Sequence, residues 1–390
     1  MRTQPQDVIA KLEADNSRLA KEKILLDAMN EGLDEFFEGL KMCLDKLYTF
    51  GVKQVPTKDE VVAGQGCPWN VFKDLAEKLY NRELTGHNAR DAINLVMSSA
   101  TAEQWNGFYR RILIKDLRCG VSEKTVNSVA KKNKFGKYMV PVFTCQLAHD
   151  SANHEKKLVG KKMLEVKLDG VRTLAIVHPD GKVDMLSRNG KEFTNFGHIQ
   201  DEISAVVKQD PPPYPLVLDG EVMSENFQDL MKQVHRKGSA DAKDAVLHLF
   251  DFIPLEEFKK GKWDKTQTLR TAMLKAWYQK HETNLNAVRV LDHEIVDLDT
   301  PEGQTTYTEV NKRAVQGGYE GIMIKDLEAP YECKRSHAWL KLKPFIEVSL
   351  EIKATEEGTG RNVGKLGALI CEGVDDLSLI HISEPTRLSV

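Results

Sequence analysis

Cysteine is scarce and scattered in this chain. The six residues, Cys43, Cys67, Cys119, Cys145, Cys333 and Cys371, form no CxxC pair. That spacing suggests neither a zinc knuckle nor a redox pair and fits a reducing cytosol. No apolar run is long enough to span a bilayer, so no membrane association is expected. The N-terminus, MRTQPQDVIAKLEADNSRLAKEKILLDAM, is charged and helical in pattern and does not read as a secretory signal. Internal repeats are missing too, and so is an excess of one charge. A formal net charge of -3 argues against a protein that is basic all over. It leaves room for a local basic stripe that binds phosphate.

What is present is a soluble, globular composition, 41% hydrophobic and 29% charged, in 390 residues. That length is too great for one ordinary core and predicts two or three domains. Residues 1–135 read as helical. Ala89, Ala92, Ile93, Val96 and Met97 follow the spacing of an amphipathic helix, and Trp105, Phe108, Tyr109 and Ile112 repeat it, with Gly120 as the expected stop. Ser122 fits the N-cap of a further helix flanked by Lys115, Arg118 and Lys124. This is either a phosphate-attracting helix N-terminus or a solvated basic surface between two helices.

From about residue 136 the texture changes. KKMLEVKLDGVRTLAIVHPDGKVDMLSRNGKEF alternates apolar and polar residues around Asp-Gly, Pro-Asp-Gly and Asn-Gly, and predicts a meander of antiparallel strands. PPPYPLVLDGEVM, DAVLHLFDFIPL, EGIMIKDL and AWLKLKPF add strands, and LRTAMLKAWYQKH and TYTEVNKRAVQGG add helices. The fold class expected for residues 136–345 is α+β on antiparallel sheets. Residues 346–376 have the pattern of strand, basic Gly-rich loop, strand, as at the start of a small β-barrel. The closing LSLIHISEPTRLSV does not continue it. Residues 377–387 resemble a translated transposon-end adaptor from sequencing libraries, so 377–390 are expected to be a non-native tail; a genuine short strand is the other reading.

The stretch most suggestive of chemistry is LEVKLDGVR. On a strand, Glu165 and Lys167 share one face while Leu164, Val166 and Leu168 face a core. The Asp169-Gly170 turn is expected to double the chain back and bring Arg172 near the lysine. A lysine held among cations is a candidate nucleophile; a solubilising edge-strand lysine is the plainer reading. Other charges keep it company. Arg188 lies in SRNG, Glu221 in LDGEV, Glu320 in YEGIMIK, and Lys341 and Lys343 in WLKLKP. Such a set of cations suits a polyphosphate, and the two carboxylates suit Mg²⁺ or a ribose hydroxyl.

The ordered series KLDGVR, SRNG, LDGEV, LHLFDF, YEGIMIK and WLKLKP resembles the motifs of the covalent nucleotidyltransferases. Within them the chain is similar to the ATP-dependent DNA ligases, most of all the bacteriophage type. RELTGHNARDAINLVMSS and FYRRILIKDLRCGVSEKTVN resemble the helical DNA-binding domain of that type. The resemblance implies an all-α DNA-binding domain, an α+β adenylation domain and an oligonucleotide-binding (OB) barrel. It implies that Lys167 attacks the α-phosphate of ATP and carries AMP. Glu165 would read the adenine amino group, and Arg172 and Arg188 would hold ribose and phosphate groups, or the 5′-phosphate of the nick. Glu221 would bind ribose and metal, and Glu320 metal. Arg335, Lys341 and Lys343 would contact phosphates. Phe250 is the aromatic expected to stack on the base, with His248 and Phe252 as alternatives. Adenylylation, transfer of AMP to the 5′-phosphate of a nick, and attack by the 3′-hydroxyl would follow in that order.

The implied cofactors are ATP and Mg²⁺. The implied partner is nicked double-stranded DNA, gripped through its phosphates. A cytoplasmic monomer serving DNA replication, repair and recombination is expected. The barrel as written lacks the family's last basic motif, so slow self-adenylylation is expected. The competing readings are an RNA ligase, a GTP-dependent capping guanylyltransferase, and a DNA-clamping protein that has lost catalysis.

Overall fold

The computed structural model describes residues 3–59, 64–224, 243–344, 350–359, 363–373 and 380–382. Among them, every regular element before residue 147 is helical. The helix Gly86–Ser99 buries Ala89, Ile93 and Val96, the face its spacing predicts. The next helix runs through Ala102–Gln104, a π-turn at Trp105–Tyr109, and Arg110–Leu113. Its Trp105, Phe108, Tyr109 and Ile112 enter one core with Phe36, Phe72 and Val126. Phe72 stacks on Tyr109 at 4.3 Å between ring centres.

This helix ends at Leu113, ahead of Gly120. Lys115 takes the left-handed conformation, φ 58°, that a glycine usually supplies at a helix C-terminus. Its N–H bonds Ile112 O and the N–H of Asp116 bonds Arg111 O, the paired closure of a Schellman turn. The Lys115 ammonium then donates to the carbonyls of Met42, Asp45 and Tyr48 at 2.5, 2.7 and 2.6 Å. Those bonds hold a non-glycine residue in an unfavoured conformation. Lys115 is therefore neither a phosphate ligand nor a solvated surface charge. Ser122 does cap Glu123–Lys132, accepting from Thr125 N.

The strands that follow are β1 (Leu147–Asp150), β2 (Lys161–Val166), β3 (Val171–Val177), β4 (Val183–Ser187), β5 (Leu216–Met223), β6 (Val246–Pro254), β7 (Lys262–Trp263), β8 (Val288–Val290), β9 (Glu294–Asp297), β10 (Ile322–Asp326), β11 (Tyr331–Glu332) and β12 (Arg335–Leu342). Ten of them build two five-stranded sheets, one ordered β1-β12-β10-β2-β9, the other β4-β3-β5-β6-β8, and β7 pairs with β11. Most pairings are antiparallel; β1 with β12 and β6 with β8 are parallel. Alternation along β3 shows how the second sheet is used on both faces. Ala175 and Val177 pack under the helix Gly197–Gln209, while Leu174 and Ile176 face Trp339 and Ala338 of the first sheet. The far face of the first sheet buries Leu164, Ile322, Ile324 and Leu340 against the helix Pro301–Gln316.

One expectation is overturned here. β2 and β3 do not form a hairpin. β2 pairs with β10 and β9, β3 with β4 and β5. Asp169-Gly170 is instead the crossing from one sheet to the other. A Cβ at Gly170 would collide with Val222 O and the Met223 sulfur, so the glycine serves close approach to β5 rather than a tight turn. Asp219-Gly220 is likewise no turn. It lies inside β5, where the register with β6 slips in a bulge. The Pro-Asp-Gly and Asn-Gly signals do mark turns, with Gly181 and Gly190 at φ 86° and 76°.

Beyond residue 345, β13 (Leu350–Glu357) pairs antiparallel with β14 (Leu366–Gly373), and β14 with β15 (Ile380–Ile382). Residues 360–362 of the basic Gly-rich loop lie outside the described residues, as do 345–349, 374–379 and 383–390. β15 falls within the stretch expected to be a non-native tail.

Candidate functional site

Between the two sheets lies a cleft of about 270 Å³. Its lining brings together Glu165, Lys167, Arg172, Arg188, Glu221, Phe250, Arg335, Lys341 and Lys343, every predicted site residue except Glu320. Glu320 stands directly behind two of them.

Lys167 follows the last residue of β2 and is anchored by its backbone. Its N–H donates to Gly321 O, and Glu320 N–H donates to Lys167 O. The Lys167 ammonium donates to Glu320 Oε2, and Lys343 donates to Glu320 Oε1 at 2.8 Å. Burial works to raise the Glu320 carboxyl, but the bonds from Lys167 and Lys343 outweigh it and hold the group below its ordinary value. The sequence reading placed Lys167 among cations. The structure instead gives it a carboxylate as its direct partner, because Glu320 sits where the chain enters β10, beside the end of β2.

Arg172 does not reach freely into the cleft. Asp219, fully buried on β5, takes its Nε and Nη2 at 2.6 and 2.7 Å, and also accepts from Tyr331 O–H at 2.7 Å. Burial opposes the guanidinium's charge, yet Asp219 keeps it firmly protonated. The locked guanidinium lies 4.9 Å from the Phe250 ring centre and 5.4 Å from that of Trp339. Glu221, two residues beyond Asp219 and opposite Arg172 in register, shares its face and accepts from Gly170 N–H at 3.2 Å. Burial pushes its carboxyl up, against the pull of Arg172 and Lys167. Glu221 lies within β5, the strand that PPPYPLVLDGEVM predicts.

Of the three candidate aromatics, Phe250 faces the cleft. Phe252 is buried in the core beneath Gly197–Gln209, and His248 is not among the cleft-lining residues. Arg188 follows β4, and Arg335, opening β12, donates to Ala148 O. Lys341 and Lys343 enter from β12 and its exit, with Leu340 buried behind them.

Two lining residues escaped the sequence reading. Lys325 of β10 is 1% exposed and pairs with Glu165 at 2.7 Å, its ammonium 4.9 and 4.6 Å from the ring centres of Phe250 and Trp339. Burial raises the Glu165 carboxyl and Lys325 draws it down. Trp339 closes the wall and is fixed by its indole N–H on Gln267 Oε1, 2.8 Å. Gln267 in turn holds Asp251, which forms a fully buried pair with Arg270. The alternation in IMIKD, with Met323 and Lys325 on one face, was the available signal. Asp219 carried none, since its partner Arg172 lies 47 residues away on the neighbouring strand.

The cleft offers a fixed amine, a wall of cations, two carboxylates and an aromatic face. That set can grip a nucleoside polyphosphate and present a nitrogen nucleophile to it. Its carboxylate oxygens suit a hard divalent cation, and no thiol or imidazole lines it among the described residues.

The family model described as "ATP dependent DNA ligase domain" matches residues 145–343, the segment that builds both sheets. A probable DNA ligase of Rhodococcus opacus (strain B4) is 30% identical over 235 residues, covering 57% of this chain and 42% of that protein. One of Mycolicibacterium gilvum (strain PYR-GCK) is 27% identical over 312 residues, covering 75% and 57%. The chain thus spans roughly half the length of these curated relatives. A solved structure titled Pmar-Lig_PreS3 is 60% identical, with 98% of this chain and 87% of that chain aligned at a TM-score of 0.64. The chain belongs to the ATP-dependent DNA ligase family.

Proposed function

We propose that this protein seals nicks in double-stranded DNA, using ATP and passing through an AMP bound to Lys167. The observation that carries this reading is the convergence, within the segment matching the family model, of Lys167 with Glu320, Glu221 and the cleft cations.

Lys167 Nζ attacks the α-phosphorus; an N–P bond forms as the bond to pyrophosphate breaks. The amine must first lose its proton, and Glu320 is the base in contact with it. Arg188, Arg335, Lys341 and Lys343 line the cleft where negative charge builds, and serve as its neutralising wall. Phe250 offers a stacking face for adenine, and Glu165, held by Lys325, a fixed acceptor for its amino group. Arg172, immobilised by Asp219, positions ribose or the 5′-phosphate without having to be ordered first. Glu221 and Glu320 offer the carboxylate oxygens that would hold Mg²⁺, which when bound would add to the neutralisation of the triphosphate. AMP then moves to the nick's 5′-phosphate, and the 3′-hydroxyl displaces it.

The domain scheme follows from this reading: a helical DNA-binding unit at 1–135, an adenylation unit at 136–345 and the beginning of an OB barrel at 346–376. Residues 377–390 are taken as a non-native tail. We place the protein in the cytoplasm as a monomer; among the described residues no helix is long and apolar enough to cross a membrane. Sealing of a labelled nicked duplex with ATP, GTP or NAD⁺, beside the same nick in RNA, tests the function. Sealing of DNA with ATP is expected. Label transfer from GTP alone, or sealing confined to RNA, would replace it with one of the rival activities.

A further inference from the structure

Outside the cleft, three imidazoles meet on the surface of the first sheet. His149 is on β1, His337 is on β12, and His154 follows the short turn Ser151–Asn153. One ring nitrogen from each can be chosen so that all three lie within 4.8 Å of one another. His337 Nε2 and His154 Nδ1 are 3.1 Å apart. The His149 and His337 rings stack at 4.5 Å, and His154 stands edge-on to both at 4.5 and 4.4 Å.

The backbone builds this cluster. In the β1–β12 ladder Ala148 faces Ser336, but the next residue, His149, faces Leu340. Residues 337–339 are thrown out of register, and a bulge of this kind re-aims side chains. The Asp150 carboxylate accepts from Ala152 N–H at 3.1 Å and closes the turn that returns His154 over the same spot. The half-exposed imidazoles of His149 and His154 and the exposed one of His337 gain little from burial, and would repel one another if protonated.

We propose that His149, His154 and His337 form a binding site for a borderline divalent transition metal, Zn²⁺ by preference, with a fourth position open to water. Tetrahedral Zn²⁺ with nitrogen ligands at about 2.0–2.1 Å sets those nitrogens about 3.3 Å apart. The His154–His337 pair already has nearly that spacing, and the third ring needs only a modest rotation. The site differs in kind from the cleft, whose oxygen donors suit Mg²⁺. Its ion would tie β1, the turn and β12 together across the bulge. Ala148 and Arg335, which flank the bulge, and Trp339 within it line the cleft. The ion would thereby brace one cleft wall. This inference stands independently of the ligase reading.

The test uses the full, tag-free chain after chelator treatment. Zn²⁺ is titrated by calorimetry, and Co²⁺ serves as the optical probe. One ion per chain is expected, with a Kd on the order of 10 µM or tighter, and tetrahedral Co²⁺ bands without thiolate charge transfer. His154→Ala and His337→Ala should each weaken binding by about 100-fold. His87→Ala, on an exposed helix face, should leave it unchanged. Far-UV circular dichroism and melting temperature establish that each variant is folded, and His154→Gln and His337→Gln repeat the comparison with less change in volume. Absence of stoichiometric binding overturns the proposal, as does binding that survives loss of His154 and of His337.

Discussion

Lysine is used in two opposite ways in this molecule. In the helical region, the buried Lys21 and Lys58 and the partly buried Lys115 spend their ammonium groups on backbone carbonyls. Lys21 bonds Cys119 O; Lys58 bonds Met97 O, Ser98 O and Ala100 O; Lys115 bonds Met42 O, Asp45 O and Tyr48 O. These are carbonyls at helix ends and in loops, where intrahelical donors run out. Between the sheets, Lys167, Lys325 and Lys343 meet carboxylates and face a cavity. An ammonium that has given every proton to carbonyls is a structural clamp, with nothing left for a substrate. One paired to a carboxylate at a cavity wall can exchange that partner for a phosphate. Partner type and setting together, rather than burial alone, separate the two uses. Lys115, which burial pushes down to about 8, is still a clamp.

The comparison is tested most severely at Lys325. Lys325→Met strands the Glu165 carboxylate in a dry site and should cost about 3–5 kcal/mol of stability by denaturant unfolding, together with adenylylation. Adding Glu165→Met should restore much of the stability and none of the activity. Lys115→Ala should cost about 3 kcal/mol by the same measurement, as three carbonyls lose their donor. Adenylylation per folded molecule should stay within about twofold of the parent. A folded Lys115→Ala protein that no longer adenylylates would break the division. Lys341→Ala should do the reverse, lowering the adenylylation rate about 10–100-fold with stability changed by less than about 0.5 kcal/mol.

The smallest effect expected is that of pH on Glu320. Its carboxyl is held below the ordinary 4.5, so its contribution to stability is present above that value and fades as pH falls through the depressed one. Melting temperatures from about pH 6 to about pH 3 should fall less steeply in Glu320→Gln than in the parent. An identical slope would show that the Lys167–Glu320–Lys343 contacts do not persist in solution.

Much of this division was legible in the sequence, and the exceptions have physical causes. Alternation placed Lys341 and Lys343 on one face and Leu340 on the other, and the cleft uses them so. Helical spacing found the buried faces of Gly86–Ser99 and of Trp105–Ile112. Asp-Gly misled at Asp169-Gly170, because the same dipeptide serves a tight turn, a crossing at Gly170 and a bulge at Gly220; only the neighbouring strands decide between them. Lys115 read as surface because its carbonyl partners come from residues 42–48, far away in sequence. Lys325 was hidden for the same reason: its carboxylate lies on β2, across the ladder from β10. Long-range pairing is what a local pattern does not encode.

The division comes to its sharpest point at Lys167. The most direct measurement is intact-protein mass spectrometry after incubation with ATP and Mg²⁺, followed by peptide mapping. One added adenylate, located on Lys167 and absent from Lys167→Ala, is the expected result. An adduct on another residue, or nick sealing by Lys167→Ala at the parent's rate, would contradict it.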